Sequence, residues 1–517
     1  MRGACGRRRW HRPLPAMLLA LSAACSAPDP GASADAAVPY VSRWDPGLPS
    51  SALLQSPALR ARGLRTVRGI IHLHSPYSHD ACDGDPQPGG MLNAPCLAHL
   101  RRGLCATRMD FAMLTDHATH MTEAEPFEKL LLAAPGDALL RAGDAGAGPY
   151  ASRWRCPAEA GEVLVTVGGE NELMPVGLQR HLGATPAARA VSMHAESAQA
   201  VKDFHAAGAV VLVAHGESRT LPLLRTLADG GLDGMEVYNL HANIDPKIRE
   251  NHLGLDAFGA ITGLAPWLAG RLVEEGGPEP DLAVLGFLSE NAKQLGKYDV
   301  LLAEGRHLSA VMGSDIHENT VPQLLVDEER GDSYRRLMRW FSNHLLVAQP
   351  QVAALDHPLV QEALRAGRSY GVFEVFGSPQ GFDFHGEQGG AVFELGATMP
   401  ASGAVLRLTP PRLLYSATLP RPAGGMAATL RVRVLRVPPL MQPLPESPEP
   451  SEQVVNVTLS ADSTPEELVL RDLKPGAYRV EVRIVPHHLL PLLGANPEVY
   501  RREYPYLYAS PIYVQAR

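Results

Sequence analysis

Histidines and carboxylates recur in this chain at the ends of short apolar runs. His72-Leu73-His74 closes the first run, Thr115-Asp116-His117 follows a second, Gly168-Gly169-Glu170 a third and His215-Gly216 a fourth. Gly313-Ser314-Asp315-Ile316-His317 closes a fifth. Imidazole with carboxylate is the donor set that holds zinc, iron or manganese. In a strand, residues i and i+2 point to one face, so His72 and His74 should look the same way, and so should Asp315 and His317. One strand-end histidine is usually a capped or solvated residue; five such endings together point to a metal centre. Divalent ions lower the pKa of a bridging water towards neutrality and stabilise charge on a phosphoryl or carbonyl oxygen. No Ser or Cys nucleophile is then needed, and Ser218, in His215-Gly216-Glu217-Ser218, lies outside a GxSxG turn.

The runs that carry these residues are 67–73, 111–114, 163–167, 209–214, 234–238 and 309–312. Each is short, β-rich and bounded by Gly or polar residues, as buried parallel strands are. Stretches 195–207 and 289–295 between them have helix-forming composition. Alternation of the two predicts an α/β chain with a parallel sheet, whose C-terminal rim is where chemistry sits. Neither GxGxxG nor GxxxxGK[ST] follows the first strand, so no nucleotide cradle is signalled. From about residue 376 the pattern changes to alternating strands at 404–408, 429–435, 453–459 and 477–485. Turn signals between them predict a small antiparallel, sandwich-like domain over 376–517.

The chain has 517 residues, 45% hydrophobic and 20% charged, which excludes a multi-span membrane protein, a coiled coil and a wholly disordered chain. Forty-seven basic against 55 acidic residues leave a formal charge of −8, so no nucleic-acid partner is expected. Arg2, Arg7, Arg8, Arg9 and Arg12 precede an apolar stretch at 14–24, too short to span a bilayer. Residues 1–24 read as a bacterial export signal, and 25–66 as a tether and lead-in. Leu21-Ser22-Ala23-Ala24-Cys25 resembles a lipobox, with Ser22 where the pattern has Leu. Acylation at Cys25 or plain cleavage near Ala24 would each leave the protein exported, periplasmic or at the cell surface, with any membrane contact made through a lipid anchor on Cys25. Cys82, Cys96, Cys105 and Cys156 then form an even set in an oxidising compartment. Two disulfides with three open pairings are expected, at least one of them closing the loop between the first two histidine motifs.

HLHS at 72–75, TDH at 115–117, GGE ending at Glu170, AHG at 214–216 and GSDIH at 313–317 resemble, in order, the motifs of the PHP (polymerase and histidinol phosphatase) superfamily. The resemblance covers about residues 67–375. With export and a β-rich tail, it is similar to the CehA/McbA branch of metallohydrolases. It implies a distorted (β/α)7, TIM-like barrel holding two or three divalent metal ions (zinc, manganese or iron), and an activity mostly on phosphoesters. His72, His74, Glu170 and Asp315 match the ligands of the first metal. Glu170 would bridge to a second, completed by His181 and His215. His79, His117 and His317 would hold a third. His79 stands where many relatives have Asp, and Asp80 is the alternative ligand. Asp116 matches a residue that orients an imidazole.

Seven imidazoles and two carboxylates around two or three divalent ions imply a net positive site that draws an anion; Arg219 is a candidate contact to it. The remaining histidines, His487 and His488 among them, read as ordinary surface or supporting residues. The expected protein is an exported metal-dependent hydrolase that uses a metal-bridged hydroxide on a small-molecule phosphoester. Carbamate or carboxylic ester hydrolysis on the same metals is the alternative. So is a non-enzymatic, metal-stabilised surface binding protein, against which the full ligand set argues.

Overall fold

The computed structural model describes residues 40, 42–44, 47–141, 148–270, 277–349, 354–415, 426–440 and 451–516. The export signal, Cys25 and residues 26–39 of the tether lie outside these residues. Val41–Arg517 forms one compact unit. Among the described residues no helix is long and apolar enough to cross a membrane.

Seven strands close a barrel: β1 (Leu64–Leu73), β2 (Phe111–Leu114), β3 (Glu162–Gly168), β4 (Met174–Leu178), β5 (Val210–Val213), β6 (Gly234–Asn239) and β7 (Ser309–Ile316). β1–β2 and β2–β3 are parallel, as are β5–β6, β6–β7 and β7–β1, the last pairing Ile71 with Gly313 and so closing the ring. β4 runs antiparallel to both neighbours, pairing Val167 with Leu178 and Met174 with Leu212.

This corrects the expected (β/α)7 barrel: the barrel is mixed, carries many further strands and is not ringed by one helix per strand. The reason lies in the chain between β3 and β4. Only residues 169–173 join them, and a parallel crossover needs about a dozen residues. The chain can therefore only turn back on itself. Further strands then extend the sheet outwards. Ala138–Arg141 and Pro149–Arg155 add to β3, and Ser342–Ala348 pairs antiparallel with the first half of β1. Ser369–Val372 follows, and Tyr504–Ala509 pairs with it, Tyr370 opposite Ala509. Gly476–Val485, Thr429–Val437 and Glu452–Ser460 continue the same sheet.

Alternation along the barrel strands sorts the core. Ile71, Phe111, Met113, Leu164, Val176, Val210, Leu212 and Val311 pack with one another and with Val360 and Leu364 of the His357–Arg365 helix. The intervening Ile70, Ala112, Leu114, Val165, Val211 and Val213 pack with residues of the outer helices, among them Leu100, Leu104, Val201, Phe204 and Leu224. Gly69 marks the closest approach of β1 and β2: a Cβ there would lie 2.4 Å from Phe111 O.

Two disulfides, Cys82–Cys96 and Cys105–Cys156, select one of the three open pairings. Tyr504, Tyr506, Tyr508 and Tyr513 are buried core residues of the last strands.

Candidate metal centre

Every parallel strand of the barrel delivers its chemistry at its C-terminal end. β1 ends in His72 and His74, β2 runs into Asp116 and His117, β3 into Glu170, β5 into His215, and β7 carries Asp315 and leads to His317. The sixth, β6, brings Glu236 and leads to His241. Antiparallel β4 presents its opposite end here and supplies none of these residues.

The backbone is bent to make this convergence. The β1 register slips on both sides at residue 72, against β2 and against β7. His72, His215 and Asp315 sit at φ of 71°, 52° and 52°, a left-handed conformation that non-glycine residues hold only when surrounding contacts impose it. Simple strand alternation therefore does not account for how His72 faces the pocket; a bulge does.

Three groups of donor atoms lie within 4.8 Å of one another: His74, Asp80, His117 and His317; His72, His74 and Glu170; His72, His215 and Asp315. Asp315 Oδ1 is 3.2 Å from His72 Nε2 and 3.3 Å from His74 Nε2, while its Oδ2 is 3.4 Å from His215 Nε2. Glu170 Oε1 is 3.2 Å from His215 Nε2, and Asp80 Oδ2 is 3.3 Å from His317 Nε2 and 3.4 Å from His117 Nε2. Donors at about 2.0–2.2 Å from one ion are separated by about 2.8–3.6 Å in tetrahedral or octahedral geometry. All six distances fall in that window. Nε2 of His72, His74 and His317 is buried yet makes no hydrogen bond. These atoms are spaced to share a cation rather than to bond one another.

The far side of four of the rings is held by the chain. His72 Nδ1 lies 2.6 Å from Glu236 Oε1, His74 Nδ1 3.0 Å from Ser78 Oγ, His117 Nδ1 3.0 Å from Glu170 O and His317 Nδ1 2.9 Å from Asp315 O. His215 Nδ1 lies 3.4 Å from Glu217 Oε1. With Nδ1 donating in the first four, each of their Nε2 lone pairs is left facing the pocket, the arrangement by which metal-binding imidazoles are oriented.

The electrostatics tell the same story. Burial alone would push His72 down, but Asp315 and Glu236 pull it up to about 10. Burial likewise opposes the charge on His117 and His215, yet Glu170 with Asp80, and Glu170 with Glu217 and Asp315, hold them well above the usual imidazole range. Burial would raise Glu170 and Asp315, and the surrounding imidazoles hold both well below it. His74, buried and stacked on His317 at 3.7 Å, is pushed down to about 3. Without an ion the pocket keeps protons where positive charge belongs.

His72, His74, His117, Glu170, His215, Asp315 and His317 are thus brought together. His181 is not: its Nε2 lies 2.8 Å from Ala124 O and its ring packs against Phe127. His79 is near, its ring 5.1 Å from that of His117, but the donor group takes Asp80 in its place. Asp116 accepts from Ser75 N at 2.6 Å and Ser75 Oγ at 2.7 Å, fixing the turn after His74, and burial raises it to about 6. Arg219 is paired with Glu172.

Four residues escaped the sequence reading. Glu236 accepts from His215 N and Asn239 Nδ2 as well as facing His72; its signal was a lone carboxylate inside an apolar strand. Glu217 stands two residues after His215. His241 Nδ1 is 3.1 Å from Asp315 Oδ2 and its side chain is half-exposed at the mouth. Gly313 leaves the room that Glu236 fills: a Cβ at 313 would lie 1.8 Å from Glu236 Oε1. Five carboxylates (Asp80, Glu170, Glu217, Glu236, Asp315) against three divalent ions leave about one positive charge, less than the strongly positive site expected from two.

A separate group, Asp281, Asp327 and Glu329, is also close enough to hold an ion. Arg335 and Arg336 already supply its positive charge, with Arg336 Nη1 2.6 Å and Arg335 Nη2 2.7 Å from Asp281 Oδ1.

No protein-family model matches the chain, and no curated protein matches it. A solved structure, the "novel lesion-specific endonuclease PfuEndoQ from Pyrococcus furiosus", aligns over 58% of this chain and 56% of its own, at 11% identity and a TM-score of 0.27. The chain thus spans little more than half the length of that protein, and a likeness at this level transfers neither fold nor substrate. Its name nevertheless runs against the expectation that nucleic acid has no part here, and that exclusion is withdrawn.

Proposed function

We propose that this protein is a metal-dependent hydrolase of phosphoesters, of the PHP kind and nearest in organisation to its CehA/McbA branch. We further propose that it is exported, with a lipid anchor at Cys25. One observation carries the metal reading: five imidazoles, four of them with Nδ1 held by the chain, whose Nε2 atoms converge on three carboxylates at 3.2–3.4 Å. Divalent ions held there would act as Lewis acids, acidifying water and polarising the scissile bond.

The chain's own residues do the rest. Glu170 shares a donor group with His72 and His74 and places Oε1 3.2 Å from His215 Nε2, while its Oε2 lies 2.9 Å from His117 Nδ1 on the far side of that ring. Asp315 spans His72 and His74 on one oxygen and His215 on the other. Glu236 holds the Nδ1 proton of His72 and the backbone N–H of His215, so the His72 ring and the His215 backbone are fixed before any ion arrives. Half-exposed His241, beside Asp315, and Arg219, paired with Glu172, are the candidate donors to a substrate anion.

The test is metal analysis of the purified protein, followed by chelation and re-addition of manganese, zinc or iron against phosphomonoester, phosphodiester and aryl carbamate substrates. Phosphoester turnover that is lost on chelation and restored by metal supports the reading. Turnover confined to the carbamate would replace the substrate class, and metal-independent turnover would overturn the metal.

A further inference from the structure

We infer that the Cys82–Cys96 disulfide is the positioning element of one particular metal group, the set His74, Asp80, His117 and His317. The inference rests on the metal reading above. Three of these ligands stand at or just beyond strand ends. Asp80 does not: it lies in the loop after β1, with a side chain about one-third exposed, and still reaches His117 and His317. Ser78 Oγ donates to its carboxylate and Asn319 Nδ2 to its carbonyl, each at 2.8 Å, but the loop that carries it still needs an anchor other than a strand.

The disulfide sits two residues further on. Cys82 N donates to His317 O and Asp83 N to Glu318 O, each at 2.9 Å, so the loop is zipped to the segment that carries His317. Cys82 and Asp83 hold this course at φ of 57° and 58°, a left-handed conformation that non-glycine residues keep only where contacts impose it. The other half, Cys96, is fixed in the first turn of the Ala94–Ala106 helix, its N–H donating to Asn93 Oδ1 at 3.1 Å. Its sulfur lies 3.8 Å from Tyr334 OH, and that hydroxyl donates to His74 O at 2.9 Å. From the same helix His99 Nδ1 lies 3.0 Å from Glu318 Oε2. One covalent link therefore ties a single helix to the segments bearing His74, Asp80 and His317. Cys105–Cys156 joins the end of that helix to the end of the Pro149–Arg155 strand and touches none of these segments.

The experiment counts retained manganese after loading and desalting, by elemental analysis of the full-length protein. Cys82→Ser/Cys96→Ser and Asp80→Asn should each lose one equivalent relative to wild type, and the triple variant no more than either. Cys105→Ser/Cys156→Ser should lose none. Should the first variant fail to fold, a phosphine applied to folded Cys105→Ser/Cys156→Ser protein reduces Cys82–Cys96 alone: two thiols form and the phosphine takes an oxygen from water. One equivalent should then be released, with the circular dichroism of the fold retained. Retention of every ion on reduction, or release of all of them together, overturns the inference while a metal-loaded wild type leaves the hydrolase reading standing. A wild type that holds no ion overturns both.

Discussion

Replacing Glu236 by Gln changes one charge and almost no volume, so its effect can be worked from contacts. The carboxylate accepts from three donors: His72 Nδ1 at 2.6 Å, His215 N at 2.9 Å and Asn239 Nδ2 at 2.9 Å. An amide offers one oxygen and one NH2, so at least one buried N–H is left facing another donor. That mismatch costs about 1–3 kcal/mol of folding stability. It also frees the His72 ring, whose Nε2 is held towards Asp315 only while Nδ1 donates to Glu236. Removing a partner of this kind lowers metal affinity by about 10–100-fold, or about 1.4–2.7 kcal/mol. Competition between the protein and a chelator of known affinity reads the second number, and denaturant unfolding of the metal-free protein reads the first. A Glu236→Gln protein that is as stable as wild type and holds its ions as tightly would refute the claim that Glu236 orients the His72 side of the centre.

Burial holds the His357 imidazole at about 4, although Asp356 pulls the other way. The unfolded chain takes up that proton at about 6.5, so the contribution is fully present above 6.5 and is lost as pH falls towards 4. The loss is about 3 kcal/mol at 1.36 kcal/mol per unit, and unfolding of His357→Gln between those pH values should lack that part of the slope. His488 is buried with Nε2 2.8 Å from Phe376 O, so His488→Ala should cost about 2–4 kcal/mol in a thermal or urea titration. Exposed His194→Ala should stay within about 0.5 kcal/mol of wild type. Arg68 and Glu374 form a fully buried pair at 3.2 Å, and Arg68→Leu should destabilise the metal-free protein by about 3–5 kcal/mol in the same titration.

The strands that position the centre were legible because strands buried on both faces read as unbroken apolar runs. The run 111–114 coincides with β2, and those at 163–167, 209–214 and 234–238 fall within a residue of their strands. β4 was not legible: its sequence, Met174-Pro175-Val176-Gly177-Leu178, carries the two residues least associated with strands. Missing it concealed the hairpin that makes the barrel mixed. Ligand types at strand ends were legible because placement alone singles them out. His181 and His241 show the limit. The family resemblance singled out His181, whereas the contact of His241 with Asp315 is a matter of where the chain turns after β6. Glu236 was hidden because a carboxylate in a strand looks the same whether it faces solvent or an imidazole. His488 was misread for the same reason, since nothing local marks a histidine as buried.

Glu170 carries the central claim, because it shares a donor group with His72 and His74 and also places Oε1 3.2 Å from His215 Nε2. The most direct measurement sets metal content and phosphoester turnover of Glu170→Gln side by side with wild type, at equal folded concentration. The account predicts that the variant retains fewer ions and that its turnover falls to the level of chelated wild type. Undiminished turnover with unchanged metal content would contradict it and leave the convergence of imidazoles and carboxylates as a feature of the fold alone.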